Sequence, residues 1–313
     1  MLEEMINLSK TRKKKKNNSK MLVLLVLILI VALALFFSNS NKNKSNSNNN
    51  QNAQSNGTVS VSETPEEPTS KPEEPITSRV KNLSENEIKQ SQERGLPVLM
   101  YHFFYDSKAG ETARDNNFIE IHDFEEQIKY LAENEYYVPT WDEVSGYISG
   151  DNGLPAKSVV ITVDDGDESF FRLAVPVLEK YNFKATSFVI TSWYGYQVAS
   201  YQSSKSIDFQ SHSDNMHISG TGGKGLFLSI SYEDACKDLE VSRSILGGDS
   251  CKVFCYPFGH FNDRCKEILK DCNYTLAFTT QGGRVFPGDD HYELPRVRMS
   301  KGESLNSFIN KVK

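Results

Sequence analysis

Two short segments about fifty residues apart carry the side chains best suited to chemistry. Thr162-Val163-Asp164-Asp165-Gly166 closes the apolar run Ser158-Val159-Val160-Ile161, and His212-Ser213-Asp214-Asn215-Met216-His217 closes the run Ile207-Asp208-Phe209-Gln210. Together they set two carboxylates and two imidazoles at the ends of two expected strands. Asp-Gly after a strand is, taken alone, an ordinary turn, and two loop histidines are ordinary surface residues. The combination is not ordinary. Adjacent carboxylates closing a buried strand repel one another unless a cation sits between them. Successive residues leave a strand in opposite directions, so one of Asp164 and Asp165 can ligate a cation while the other reaches for a water beside it. Five residues apart on a regular helix, His212 and His217 would diverge by about 140°. They therefore need a loop that turns both rings to one point, unlike the helical His-Glu-x-x-His arrangement. One Asp and two His leave coordination positions open, as catalytic metal sites do, and suit zinc first, with cobalt, nickel or manganese also able to bind. A divalent ion with a spare carboxylate beside it is equipped for metal-assisted hydrolysis.

The elements that must position these residues read as alternating strands and helices. From Gly95 onward, Leu96–Tyr101, Ser158–Val163, Lys184–Thr191, Ile207–Gln210, Lys252–Tyr256 and Thr275–Thr279 have strand character. Helical periodicity occupies Phe124–Glu135, Trp141–Ile148, Ser169–Tyr181, Ser231–Leu246 and Asn262–Asp271. Such alternation predicts parallel βαβ units, and room for seven or so of them over residues 93–313 predicts a distorted (β/α) barrel of seven strands. Reactive groups in such barrels sit at the C-terminal ends of strands. Asp164, Asp165, His212 and His217 fall there, and so does Tyr256-Pro257-Phe258-Gly259.

Ahead of the packed domain, residues 1–20 are a basic segment and residues 21–37 an almost wholly aliphatic run. Basic-then-apolar order predicts an uncleaved signal-anchor: residues 1–20 cytoplasmic, 21–37 a single membrane-spanning helix, and the rest extracellular. Cleavage at Ser38-Asn39-Ser40, releasing a secreted domain, is the alternative. Residues 38–92, rich in Asn, Ser, Gln, Pro and Glu, predict a disordered extracellular linker. The net charge is -6, and because residues 1–20 carry seven basic against two acidic side chains, the remainder stands at -11. An acidic body excludes nucleic acid as partner and tolerates a neutral or cationic polymer. The five cysteines read as small buried hydrophobes, and Cys265 and Cys272 lie too far apart along one helix to pair. Oligomeric state stays open.

Thr162–Gly166, the histidine pair and Tyr256–Gly259 together resemble the metal-dependent polysaccharide deacetylases of carbohydrate esterase family four, over about residues 95–313. The wide His212–His217 gap and Met100-Tyr101-His102 near the domain start are similar to the branch containing poly-N-acetylglucosamine deacetylases, in which the motif order is permuted. The resemblance implies Asp164 as general base, Asp165, His212 and His217 as metal ligands, and His102 as general acid. It also implies that Tyr256, Pro257 and Phe258 line the site, the Phe258 amide helping to hold an oxyanion. Many members carry an Arg two residues before the Pro-aromatic pair; here that position is Cys255, and Arg296 is the expected substitute. The implied substrate is an acetylated glucosamine-containing polysaccharide, an exopolysaccharide or peptidoglycan. An O-acetyl glycan esterase and a non-catalytic carbohydrate-binding module on the same fold are the competing readings.

Overall fold

The computed structural model describes residues 80–313. Helix α1 (Glu85–Arg94) leads into strand β1 (Val98–Tyr101) and a small parallel pair, β2 (Phe103–Tyr105) and β3 (Phe118–Glu120). Helices α2 (Ile121–Glu133) and α3 (Trp141–Ser149) precede β4 (Val160–Asp165). A π turn (Phe170–Ala174) runs into α4 (Val175–Lys180), followed by β5 (Ala185–Val189), α5 (Thr191–Tyr201) and β6 (Ile207–Ser211). Then come α6 (Tyr232–Leu246), β7 (Val253–Cys255), α7 (Asp263–Asp271), β8 (Leu276–Gly282), β9 (Leu294–Arg298) and α8 (Leu305–Val312).

Seven strands close a barrel in the order β1-β4-β5-β6-β7-β8-β9, with every neighbouring pair parallel. This is the expected seven-stranded architecture, and two seams account for its distortion. Only Ser211 and Phe254 are in register between β6 and β7, and the β8–β9 register slips between Phe278 and Gly282. Alternation along the strands sorts the core into two clusters. Val98, Val160, Phe188, Val253, Leu276, Phe278 and Leu294 form one. Leu99, Ile161, Val163, Val189, Phe254 and Ala277 join the helix-facing residues of the other. Strands buried on both faces therefore read as unbroken apolar runs rather than as alternation. Each large side chain removed from water on either face contributes about 2–3 kcal/mol.

The ordered domain begins earlier than residue 93, where the sequence places its start. Ser84 and Glu87 form a reciprocal cap on α1, and Ser91 is buried, its carbonyl accepting from the Tyr147 hydroxyl at 2.9 Å. The Arg94 guanidinium donates to the carbonyls of Ala156, Ser158 and Val312. Only Ile88, Ser91 and Arg94 of this polar helix face the domain, too few to break a composition that reads as linker. The apolar run 21–37 and the linker up to residue 79 lie outside the described residues. Among the described residues no helix is long and apolar enough to cross a membrane.

Candidate active site

Asp164 shares the face of β4 that carries Val160 into the barrel interior, and the residue is 2% exposed. Arg296, wholly buried on β9, meets it in a two-pronged pair, with Nη1 to Oδ1 and Nη2 to Oδ2 each 2.7 Å. The remaining guanidinium donors go to Thr279 O, Thr162 Oγ1 and Cys255 Sγ. A planar fork with every donor directed cannot be replaced by a point charge. Burial pushes the Asp164 carboxyl up, but the adjacent guanidinium outweighs it and holds the group well below the usual carboxylate range. Burial keeps Cys255 a thiol, its pKa well above the ordinary value despite Arg296, and its sulfur lies 3.5 Å from Asp164 Oδ2. His102, following β1, brings Nε2 to 3.8 Å from the same oxygen. Burial lowers the His102 pKa against the pull of Asp164.

Strand alternation alone would send Asp165 to the opposite face. Asp165 and Gly166 both take left-handed backbone angles, φ 73° and 78°, which turns the chain at the barrel rim and brings the second carboxylate to the same site. Its Oδ1 lies 3.5 Å from His212 Nε2 and 3.7 Å from His217 Nε2. Ligands arranged tetrahedrally at zinc distances would be about 3.4 Å apart. His212 Nδ1 lies 2.7 Å from Cys255 O. A carbonyl can only accept, so Nδ1 carries the proton and Nε2 presents its lone pair to the cluster. Burial drives the His212 pKa down to about 3 and lowers that of His217, so both rings are neutral and able to ligate. Burial and the neighbouring Asp164 charge push Asp165 up to about 7, the signature of a carboxylate that lacks a positive partner. The donor set thus fits a divalent cation.

Two other groupings fit less well. Asp164, His212 and Cys255 also approach one another, but a cation there would face the Arg296 guanidinium. The carboxylates of Asp106 and Glu120, near His122, are taken up by backbone amides of Lys108, Ala109, Ser107 and His122.

The loop carrying His217 is held by residues that sequence patterns do not reveal. Both carboxylate oxygens of Asp238, on α6, accept backbone amides of the loop, from Asp214 and Asn215, at 2.7 Å each. Thr191 Oγ1 donates to Asp214 Oδ1 at 2.7 Å. Ser213 is left-handed (φ 75°), as is Phe258 (φ 60°). With Asp165, three of the six non-glycine residues of positive φ among the described residues lie at this site, where strain is held by surrounding structure. Gly259 (φ 70°) must be glycine, since a Cβ there would lie 2.1 Å from Thr280 Oγ1.

A cavity of about 310 Å³ joins His102, Asp164, Asp165, His212 and His217 with Tyr256 and Phe258, and adds Asn117, Thr280 and Arg298, which the sequence did not single out. Pro257 is buried beside this wall. The Tyr256 ring is buried, its hydroxyl donating to Tyr292 O at 3.0 Å, so it supports the wall. The exposed Phe258 ring packs 4.2 Å from that of His217, and Trp193 lies on another side of the same imidazole at 5.6 Å.

Residues 151–277 match the polysaccharide deacetylase family. The chain carries a polysaccharide deacetylase domain. The matched stretch holds Asp164, Asp165, His212, His217 and Tyr256–Phe258, while His102 and Arg296 lie outside it and are delivered to the site by β1 and β9. The chain is 31% identical over 193 residues to a poly-beta-1,6-N-acetyl-D-glucosamine N-deacetylase of Staphylococcus epidermidis. That alignment covers 57% of this chain and 66% of the relative's length. IcaB from Ammonifex degensii superimposes with a TM-score of 0.60 at 26% identity, covering 70% of this chain and 97% of that one. The Streptococcus pyogenes deacetylase PplD shares the fold, with a TM-score of 0.61 at 24% identity over 70% of this chain and 98% of its own.

Proposed function

We propose that the domain removes N-acetyl groups from N-acetylglucosamine units of a cell-surface polysaccharide and that it depends on a divalent metal. The observation that carries the reading is the placement of Asp164, held ionised by a buried guanidinium, beside a cluster of one carboxylate and two neutral imidazoles.

Asp165, His212 and His217 would hold the ion, zinc first among the metals that suit this set. When bound, such an ion supplies Lewis acidity toward the acetyl carbonyl and the attacking water. Asp164 accepts the proton of that water, and Arg296 keeps the carboxylate available and aimed. The Phe258 amide donates to the developing oxyanion. His102 delivers a proton to the departing nitrogen, so the C–N bond breaks to a free amine. Trp193 and Phe258 present exposed rings at the rim on which sugar faces can stack.

The substrate is a β-linked polymer of N-acetylglucosamine of the kind named for the staphylococcal relative. An acidic body favours a polymer that grows cationic as acetyl groups leave. The apolar run 21–37 would anchor the chain with its domain outside the membrane, supported by the basic residues ahead of it.

The test is acetate release from β-1,6-linked N-acetylglucosamine oligomers by the full chain, with and without added zinc. Metal-dependent release that falls by about 10²–10⁴-fold in Asp164→Asn is the expected result. Near-wild-type turnover in that variant would remove Asp164 from the role of base.

A further inference from the structure

Three of the five cysteines are wholly buried and separately housed: Cys255 in the active site, Cys265 against Phe227 O, and Cys251 within the helix-facing core. The other two are partly exposed. Cys236 lies in the second turn of α6, Cys272 just past the end of α7, and their sulfurs are 3.0 Å apart. The contact is held from both sides. The Tyr232 hydroxyl donates to Asp271 Oδ2 at 2.8 Å, and Arg243 Nη1 donates to the Cys272 carbonyl at 2.6 Å. Two thiols so fixed face each other with little chain movement left before they can bond.

We propose that Cys236 and Cys272 are a disulfide site, closed by thiol–disulfide exchange with an oxidised low-molecular-weight or protein disulfide. One of the two thiolates attacks a sulfur of that disulfide, forming a mixed disulfide and releasing one thiol. The second thiolate attacks the protein sulfur of the mixed disulfide, forming Cys236–Cys272 and releasing the other thiol. The two electrons and two protons lost by the protein end on the exogenous pair.

The link would close a loop across a separation of 36 residues that contains β7 and Tyr256–Gly259. That loop includes the strand whose seam with β6 has a single register pair. It would also clamp α6 two residues from Asp238, which holds the His217 loop. The bond stands on the geometry of the two helices and is independent of the reaction proposed above.

The experiment treats the reduced full chain with oxidised glutathione, then denatures it in iodoacetamide without reductant for peptide mass spectrometry. A Cys236–Cys272 linked peptide is expected, with alkylation confined to Cys251, Cys255 and Cys265. Alkylated Cys236 and Cys272, or both carrying glutathione, would overturn the proposal. Cys236→Ser leaves one thiol of the pair, and Cys272 should then retain glutathione; a free Cys272 would count equally against it. Reductant should lower the melting temperature of the oxidised protein by roughly 5–10 °C, with no shift in Cys236→Ser. An unchanged melting temperature in the wild type would exclude the bracing role.

Discussion

Inside the barrel, Asp164 and Arg296 form an ion pair in which removal of either side leaves a buried charge behind. Removing the cation is the costly direction, because the carboxylate then remains buried beside a second carboxylate, with only a thiol and the His102 and His212 rings as neighbours able to donate. Arg296→Met should therefore destabilise the domain by about 3–5 kcal/mol in chemical denaturation. The double variant Arg296→Met/Asp164→Asn should recover a large part of that loss while staying inactive. Additive losses would mean that the pair is not coupled. At this scale the sequence was informative where chemistry is local. Asp164 and Asp165 close a β-branched run, and His212 and His217 follow the strand-like run Ile207–Gln210, so type and spacing were enough to mark them. The cysteine at position 255, where a guanidinium is expected, points to Arg296 as its replacement, and the fold puts it on Asp164. The left-handed turn at Asp165 was not legible, since nothing in the residue type demands it.

The element that positions the imidazoles is the loop between β6 and α6, and its anchor is Asp238. Burial pushes the Asp238 carboxyl up from 3.8 to about 6. A carboxyl raised on folding contributes stability in its protonated form, complete below about pH 4 and lost as pH rises through about 6. The difference in unfolding free energy between wild type and Asp238→Ala, read by chemical denaturation, should narrow across that window by an amount on the order of 2 kcal/mol. A widening difference would contradict the assignment. At neutral pH the same variant frees two loop amides, and cation affinity should drop about 10–100-fold by titration calorimetry. Unchanged affinity would show that the loop holds its shape without Asp238. Most strands and helices were legible as periodic runs, and α6 and α7 match the expected segments to within a residue. Asp238 was not, because its partners are backbone amides more than twenty residues away. Helix α1 was missed for a different reason: its capping box is a local signal, but its polar composition matches a linker.

For the molecule as a whole, Arg94 joins the start of the domain to its end. Its guanidinium reaches carbonyls of Ala156, Ser158 and Val312, and its Nε donates to Lys313 O at 2.7 Å. Arg94→Ala should cost about 2–3 kcal/mol of stability with acetate release per folded molecule unchanged, since the residue is not among those lining the cavity. Loss of turnover without loss of stability would contradict that separation. The central claim is that Asp165, His212 and His217 hold one ion while Asp164 stands beside it uncoordinated. Elemental analysis of the dialysed, zinc-loaded protein tests this most directly. The account predicts one zinc per chain in the wild type and in Asp164→Asn, and none in Asp165→Ala or His217→Ala. Full zinc in Asp165→Ala, or its loss in Asp164→Asn, would contradict it.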